Sequence, residues 1–163
     1  MKNIVGFRLP ADVRPVRHDL SLTPDLETFT FRGEEDIELL VVNPTTKLVL
    51  NAAELQVLSA VLLMRDGRSL VPDDIELDAD AETVTFLFNR EIQAGSATLR
   101  INFQGILNDQ LRGFYRSQYQ DLHGQTKFMA TTQFEATDAR RAFPCWDEPN
   151  IKASYRVTLV VPS

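Results

Sequence analysis

Hydrophobic residues recur along this chain in short runs that alternate with polar ones, and the period is two rather than three or four. Between residues 97 and 103, Leu99, Ile101 and Phe103 share one side while Thr98, Arg100 and Asn102 share the other. That is the pattern of a strand with one face in a core and one in water. Similar runs rich in Val, Ile, Leu, Phe and Thr predict strands over 16–23, 28–42, 47–51, 55–64, 83–88, 96–105, 113–118, 127–135 and 153–161. Turn chemistry separates them. Arg65-Asp66-Gly67 suits a hairpin, and Asn43-Pro44-Thr45 and Val71-Pro72-Asp73-Asp74 read as loops. Only 137–142 looks helical, with Asp138 placed to bond the exposed amides of a single turn. Many regularly spaced strands with almost no helix predict an all-β fold, an antiparallel β-sandwich or open barrel.

Composition adds bounds to that picture. A length of 163 residues fits one domain spanning 1–163, and a hydrophobic content of 44% is ample for a core. The net charge of -6 disfavours nucleic acid and anionic membrane surfaces as partners, because the mean surface field repels them. Cys145 is the lone cysteine, so no internal disulfide can form, and a reducing, cytoplasmic compartment is expected. In MKNIVGFRLP the apolar run is interrupted by Asn3, Gly6 and Arg8, so neither a signal peptide nor a membrane span is expected. The run 153–161 reaches almost to Ser163 without a polar tail. An apolar strand left uncovered there predicts self-association of the chain.

The segment 131–149, TTQFEATDARRAFPCWDEP, concentrates charged, polar and aromatic residues in a stretch too irregular for plain core. If 127–135 is a strand, Gln133 and Glu135 share one face, while Thr132, Phe134 and Ala136 share the other and Phe134 anchors the strand. Taken alone, such a glutamate reads as a solvated surface residue. Arg140 and Arg141 lie near Asp138, Asp147 and Glu148 and are expected to pair with them, while Phe143 and Trp146 are expected to be packing anchors. Cys145 invites a nucleophile reading, but such a cysteine needs a histidine base. The chain has two histidines: His18 in a predicted strand and His123 in an Asp121-Leu122-His123-Gly124 turn, both expected in surface or structural roles. Neither has metal-ligand spacing to a second histidine. The acidic run Gly33-Glu34-Glu35-Asp36 lacks the alternating spacing of a calcium loop and reads as a solvated strand end. No metal is assigned to this chain.

Four pieces of sequence occur in a telling order: Asn51-Ala52 after an apolar strand, GILNDQLRGFYRSQY over 105–119, KFMATTQFE over 127–135, and the ATDARRAFPCWDEP that follows. Together they resemble the N-terminal β-domain of M1-family zinc aminopeptidases, in particular the puromycin-sensitive and tricorn-associated branch. The resemblance implies a saddle-shaped β-domain preceding a thermolysin-like catalytic domain. It further implies that Glu135 binds the free amine of a peptide substrate beside a second glutamate in the GAMEN loop of that next domain. Gln133, by the same resemblance, lines the pocket for the substrate's first side chain. The role suits the chemistry: a fixed carboxylate accepts charge-assisted hydrogen bonds from an ammonium, each contributing about 1.5–3 kcal/mol when partly desolvated.

Neither an H-E-x-x-H pair nor a GAMEN-like loop occurs in the sequence. The zinc implied by the resemblance therefore belongs to an absent catalytic domain, and this chain is expected to be the first domain of a larger enzyme. Its expected partners are the peptide N-terminus and the parent's own catalytic domain. Two alternatives stand beside that reading: a noncatalytic scaffold of the same fold, and a bifunctional enzyme of the leukotriene A4 hydrolase type. A scaffold has no need of an amine receptor, and the second type more often carries a glutamine where Glu135 stands.

Overall fold

The structure is a computed structural model describing residues 8–161. Eleven strands are found among them: β1 (Val13–Asp25), β2 (Thr30–Val41), β3 (Thr45–Asn51), β4 (Leu55–Met64), β5 (Ser69–Leu70), β6 (Asp74–Asp78), β7 (Thr83–Ile92), β8 (Gly95–Ile106), β9 (Gly113–Gln120), β10 (Thr126–Gln133) and β11 (Ser154–Leu159). They form a six-stranded sheet in the order β11-β1-β2-β8-β4-β5, a three-stranded sheet β3-β7-β6 and a two-stranded ribbon β10-β9. The sheets are not closed into a barrel, and the all-β sandwich expected from the alternation is what they build. The reading of 1–10 as lacking an apolar leader falls largely on residues outside those described, as does the end of the chain at Ser163.

Inward-facing residues of both larger sheets make one cluster. Leu99, Ile101 and Phe103 of β8 are fully buried, as their alternation requires, and they join Ile37 and Leu39 of β2, Leu62 of β4, Leu48 and Leu50 of β3, and Val84 and Phe86 of β7. Fully burying such side chains stabilises by about 1.5–3 kcal/mol each, so this cluster is the main source of cohesion. The hairpin expected at residues 65–67 is present. Gly67 adopts a φ of 86°, Met64 donates to the carbonyl of Arg68 at 2.8 Å, and Leu62 pairs with Leu70. Of the two loops, 71–74 ends where β6 begins. The short β5 and β6 were invisible to the pattern because two and five residues give alternation too little length.

Two departures matter for the site. The pairing of β1 with β11 is parallel, from Arg17 with Ser154 to Leu22 with Leu159, so the six-stranded sheet is mixed rather than purely antiparallel. The second departure begins at a bulge between Pro15 and Arg17 of β1. Val13 and Pro15 face inward, and without the bulge residues 17 and 19 would follow them. The extra residue shifts the phase by one, so His18, Leu20 and Leu22 enter the core instead. Opposite them, the alternation of β2 carries Glu35 onto the same face as Phe31, Ile37 and Leu39. The acidic run is thus not a solvated strand end throughout: Glu34 and Asp36 face out, but Glu35 is 1% exposed.

Candidate functional site

The segment after β10 returns to the sandwich through a turn, a single 3₁₀ turn at Ala139–Arg141 and an isolated bridge at Cys145. β10 ends at Gln133, which pairs with Gly113 of β9, one residue short of Phe134. Strand alternation therefore does not carry through to Glu135, which lies in the turn and follows a half-buried Phe134. Gln133 and Glu135 are both exposed, and so is Thr132, which the alternation had placed on the core side. The peptide bond between Glu135 and Ala136 is cis. No ion pair reaches Glu135 among the described residues, so its carboxylate is not neutralised by a neighbouring side chain.

The turn is held from several directions. Asp138 donates its backbone N–H to the carbonyl of Phe134 at 2.9 Å, and its carboxylate accepts from Nε of Arg141 at 3.0 Å. That carboxylate makes no capping bond to the 3₁₀ turn. The expected interaction with exposed amides is replaced by an arginine pair, because the turn is too short to present a free set of N–H groups. Arg140 pairs with Asp147 at 3.0 Å and with Glu82 at 3.1 Å, and Arg141 pairs with Glu82 at 2.5 Å and with Glu54 at 2.6 Å. Asp138 and Asp147 were legible as partners from their nearness in sequence. Glu148 takes a different role: its Oε1 accepts from the N–H of Leu9 at 2.6 Å.

Glu54 and Glu82 were not legible. Each stands in a turn with φ near +58° and +51° respectively, and each lies far from the arginines in sequence. A left-handed turn residue swings its side chain out of the adjacent strand's alternation, and here both swing toward Arg141. With side chains only 11% and 12% exposed, Arg141 and Arg140 sit where ion pairs are screened less than at the surface. Asn51 completes the brace. It exchanges backbone bonds with Cys145 at 2.8 and 3.0 Å, and its Oδ1 accepts from the N–H of Asp147 at 3.1 Å.

Beneath the turn lies an aromatic and ionic floor. Phe143, Cys145 and Trp146 are buried in this domain's own core, as anchors. Burial pushes the Cys145 thiol well above its ordinary range, with Asp147 and Glu35 adding to the shift, so it does not supply a thiolate near neutral pH. His18 has the structural role expected of it: Nδ1 lies 2.7 Å from Oε1 of Glu35, and both side chains are wholly buried. Its ring stacks on Tyr155 at 4.7 Å and 12°, and meets Phe143 edge-on at 6.4 Å. Phe143 in turn meets Phe134 edge-on at 5.8 Å. Partial burial pushes the Tyr155 hydroxyl up to about 12, although the residue is half-exposed on the sheet edge, and full burial raises the Glu35 carboxyl against the opposing His18 hydrogen bond. His123 lies exposed in its turn, where Asp121 accepts from its N–H at 2.9 Å.

Among the described residues no group of three or more His, Cys, Asp or Glu side chains is arranged to hold a metal ion. What the segment offers chemically is an uncompensated carboxylate and a neighbouring amide, both exposed, on a turn braced from below.

Comparison with known proteins agrees with this architecture. A family model described as the Peptidase M1 N-terminal domain matches residues 14–163. Aminopeptidase M1-C of Oryza sativa subsp. japonica is 47% identical over 156 residues, 96% of this chain and 17% of the relative. Aminopeptidase 2 of Candida albicans is 46% identical over 153 residues, 93% of this chain and 16% of its own length. The Alanine/arginine aminopeptidase of Saccharomyces cerevisiae is 43% identical over 160 residues, 95% of this chain and 18% of its own length. The chain thus spans 16–18% of these curated relatives. From the family match across nearly all of its length, the chain belongs to the M1 peptidase family, as an N-terminal domain of that family.

Proposed function

We propose that this chain is the substrate-amine-recognising domain of a zinc metallo-aminopeptidase that removes N-terminal residues from peptides. The observation that carries the reading is the Glu135 carboxylate, exposed and unpaired among the described residues, on a turn fixed by the Arg140–Arg141 network. An ammonium group approaching such a carboxylate meets a charge that has not already been spent on a neighbouring arginine. Gln133, exposed at the end of β10, lines the pocket for the first side chain in this reading. The relatives' names as aminopeptidases support it.

Among the described residues none form a zinc site, so no step of the reaction is assigned to a metal here. The zinc, the water-activating base and the second amine-binding carboxylate belong to the remainder of the parent protein, with which this domain partners. The lone, buried Cys145 is the ground for placing the protein in a reducing compartment, the cytoplasm.

Replacing Glu135 by Gln in the full-length protein tests the reading. The substitution keeps the shape and removes the charge, so KM for free-amine peptides is expected to rise roughly tenfold to a hundredfold. kcat falls as well if the contact also positions the scissile bond. Unchanged kinetics would remove Glu135 from the site.

A further inference from the structure

The buried His18–Glu35 pair is not required by the sandwich itself. Two ionisable groups in a core are expensive, and well-packed apolar residues of similar volume often stabilise a fold as much or more. Here Nε2 of His18 and Oε2 of Glu35 are also buried without a hydrogen-bond partner among the described residues, which adds to the cost. What the pair does accomplish is geometric. Glu35 holds one nitrogen of the imidazole, so the ring cannot turn about its own axis without losing that contact. On the ring's face lies Tyr155, and at its edge stands Phe143. Phe143 also meets Tyr155 edge-on, at 6.1 Å, so it is gripped by two rings of the floor. Its remaining aromatic contact is Phe134, the residue before Glu135.

We infer that Phe143, seated on the His18–Glu35 pair, is a positioning residue for Glu135: the rigid floor fixes Phe134 and thereby the direction in which the exposed carboxylate points. This rests on Glu135 being the amine receptor and names what aims it. Edge-to-face contacts of this kind add directionality to simple burial, which a branched aliphatic side chain does not supply. The Arg140–Arg141 brace fixes the far side of the same turn, through Asp138, and the aromatic column fixes the near side through Phe134.

The test is a double-mutant cycle in the full-length protein, combining Phe143→Leu with Glu135→Gln. Phe143→Leu alone is expected to raise KM for free-amine peptides about threefold to tenfold, and in the Glu135→Gln background that factor should shrink to about one. A merely structural residue lowers the folded fraction equally in both backgrounds, which a melting curve of each variant corrects for. Phe134→Leu, at a half-buried position, removes the same edge contact from its other side and repeats the test if Phe143→Leu does not fold. An equal factor in both backgrounds, or none in either, would overturn the inference while leaving amine recognition intact. Glu135→Gln without any effect on KM would instead overturn the amine reading.

Discussion

At the scale of single residues, the chain carries two kinds of carboxylate, and their surroundings assign them opposite tasks. Glu135 is exposed and has no ion-pair partner among the described residues, which suits the ligand's charge that the proposed function gives it. Glu35 is sealed in the core beside His18, and burial raises its carboxyl above the ordinary value of 4.5. Over the interval between that value and the raised one, the folded chain keeps a proton that the unfolded chain has released. Stability therefore declines as pH rises across that interval, because the folded state binds more protons there. Glu35→Gln removes this contribution. As pH rises above the ordinary value of 4.5, the denaturant midpoint of the variant should fall less steeply than that of the wild type. Parallel profiles for the two proteins would show that Glu35 is ionised in the fold.

At the scale of elements, the pairing of β2 with β8 shows how the sheet uses its glycines. Phe31 lies opposite Gly105, and Gly33 opposite Phe103. Each aromatic ring lies over the glycine across from it, and a Cβ at Gly33 would fall on the Phe103 ring itself. Gly33→Ala should therefore cost about 1–3 kcal/mol by overpacking, read as a lowered urea midpoint at unchanged slope. A variant as stable as the wild type would mean that the ring has room to move. β11 poses the opposite problem. It is the edge of the six-stranded sheet, every residue of it is exposed, and Tyr155, Val157 and Leu159 are each more than half so. Arg156 is the one charge along it. So weakly guarded an edge invites pairing with another chain, and sedimentation of the 163-residue chain should show dimers or larger species that Val157→Lys returns toward monomer. A clean monomer at high concentration would contradict this.

At the scale of the whole molecule, nearly all of the sandwich was legible in the sequence, because long strands with one buried face repeat their period often enough to be seen. β8 shows the rule at its clearest. The phase of β1 was not legible, since a single bulge beside Pro15 reverses which residues face inward, and His18 is buried for that reason. Of the site, the positions of Gln133 and Glu135 came from resemblance. Gln133 closes β10 and is exposed as the alternation has it, but the same alternation does not account for Glu135, because β10 stops before it. Glu54 and Glu82 escaped because long-range ion pairs leave no periodic trace. The amine receptor proposed for this chain is also distinct from the machinery of hydrolysis. With no H-E-x-x-H pair in its sequence, the 163-residue chain alone should leave aminoacyl anilides intact, and zinc-dependent turnover by it would refute that division of labour.

The parallel union of β1 with β11 has a bearing on how the protein is made. During synthesis the first long strand leaves the ribosome early, while residues 154–159, which complete its outer side, come late. At ordinary translation speeds the delay is on the order of ten seconds, far longer than hairpin formation takes. Throughout that wait the nascent sheet has an open flank beside His18, and the aromatic floor lacks Tyr155. On the proposed reading, the turn that carries Glu135 is set only as the last strand docks, so that a stalled or truncated product would carry the residues of the proposed receptor without their aim.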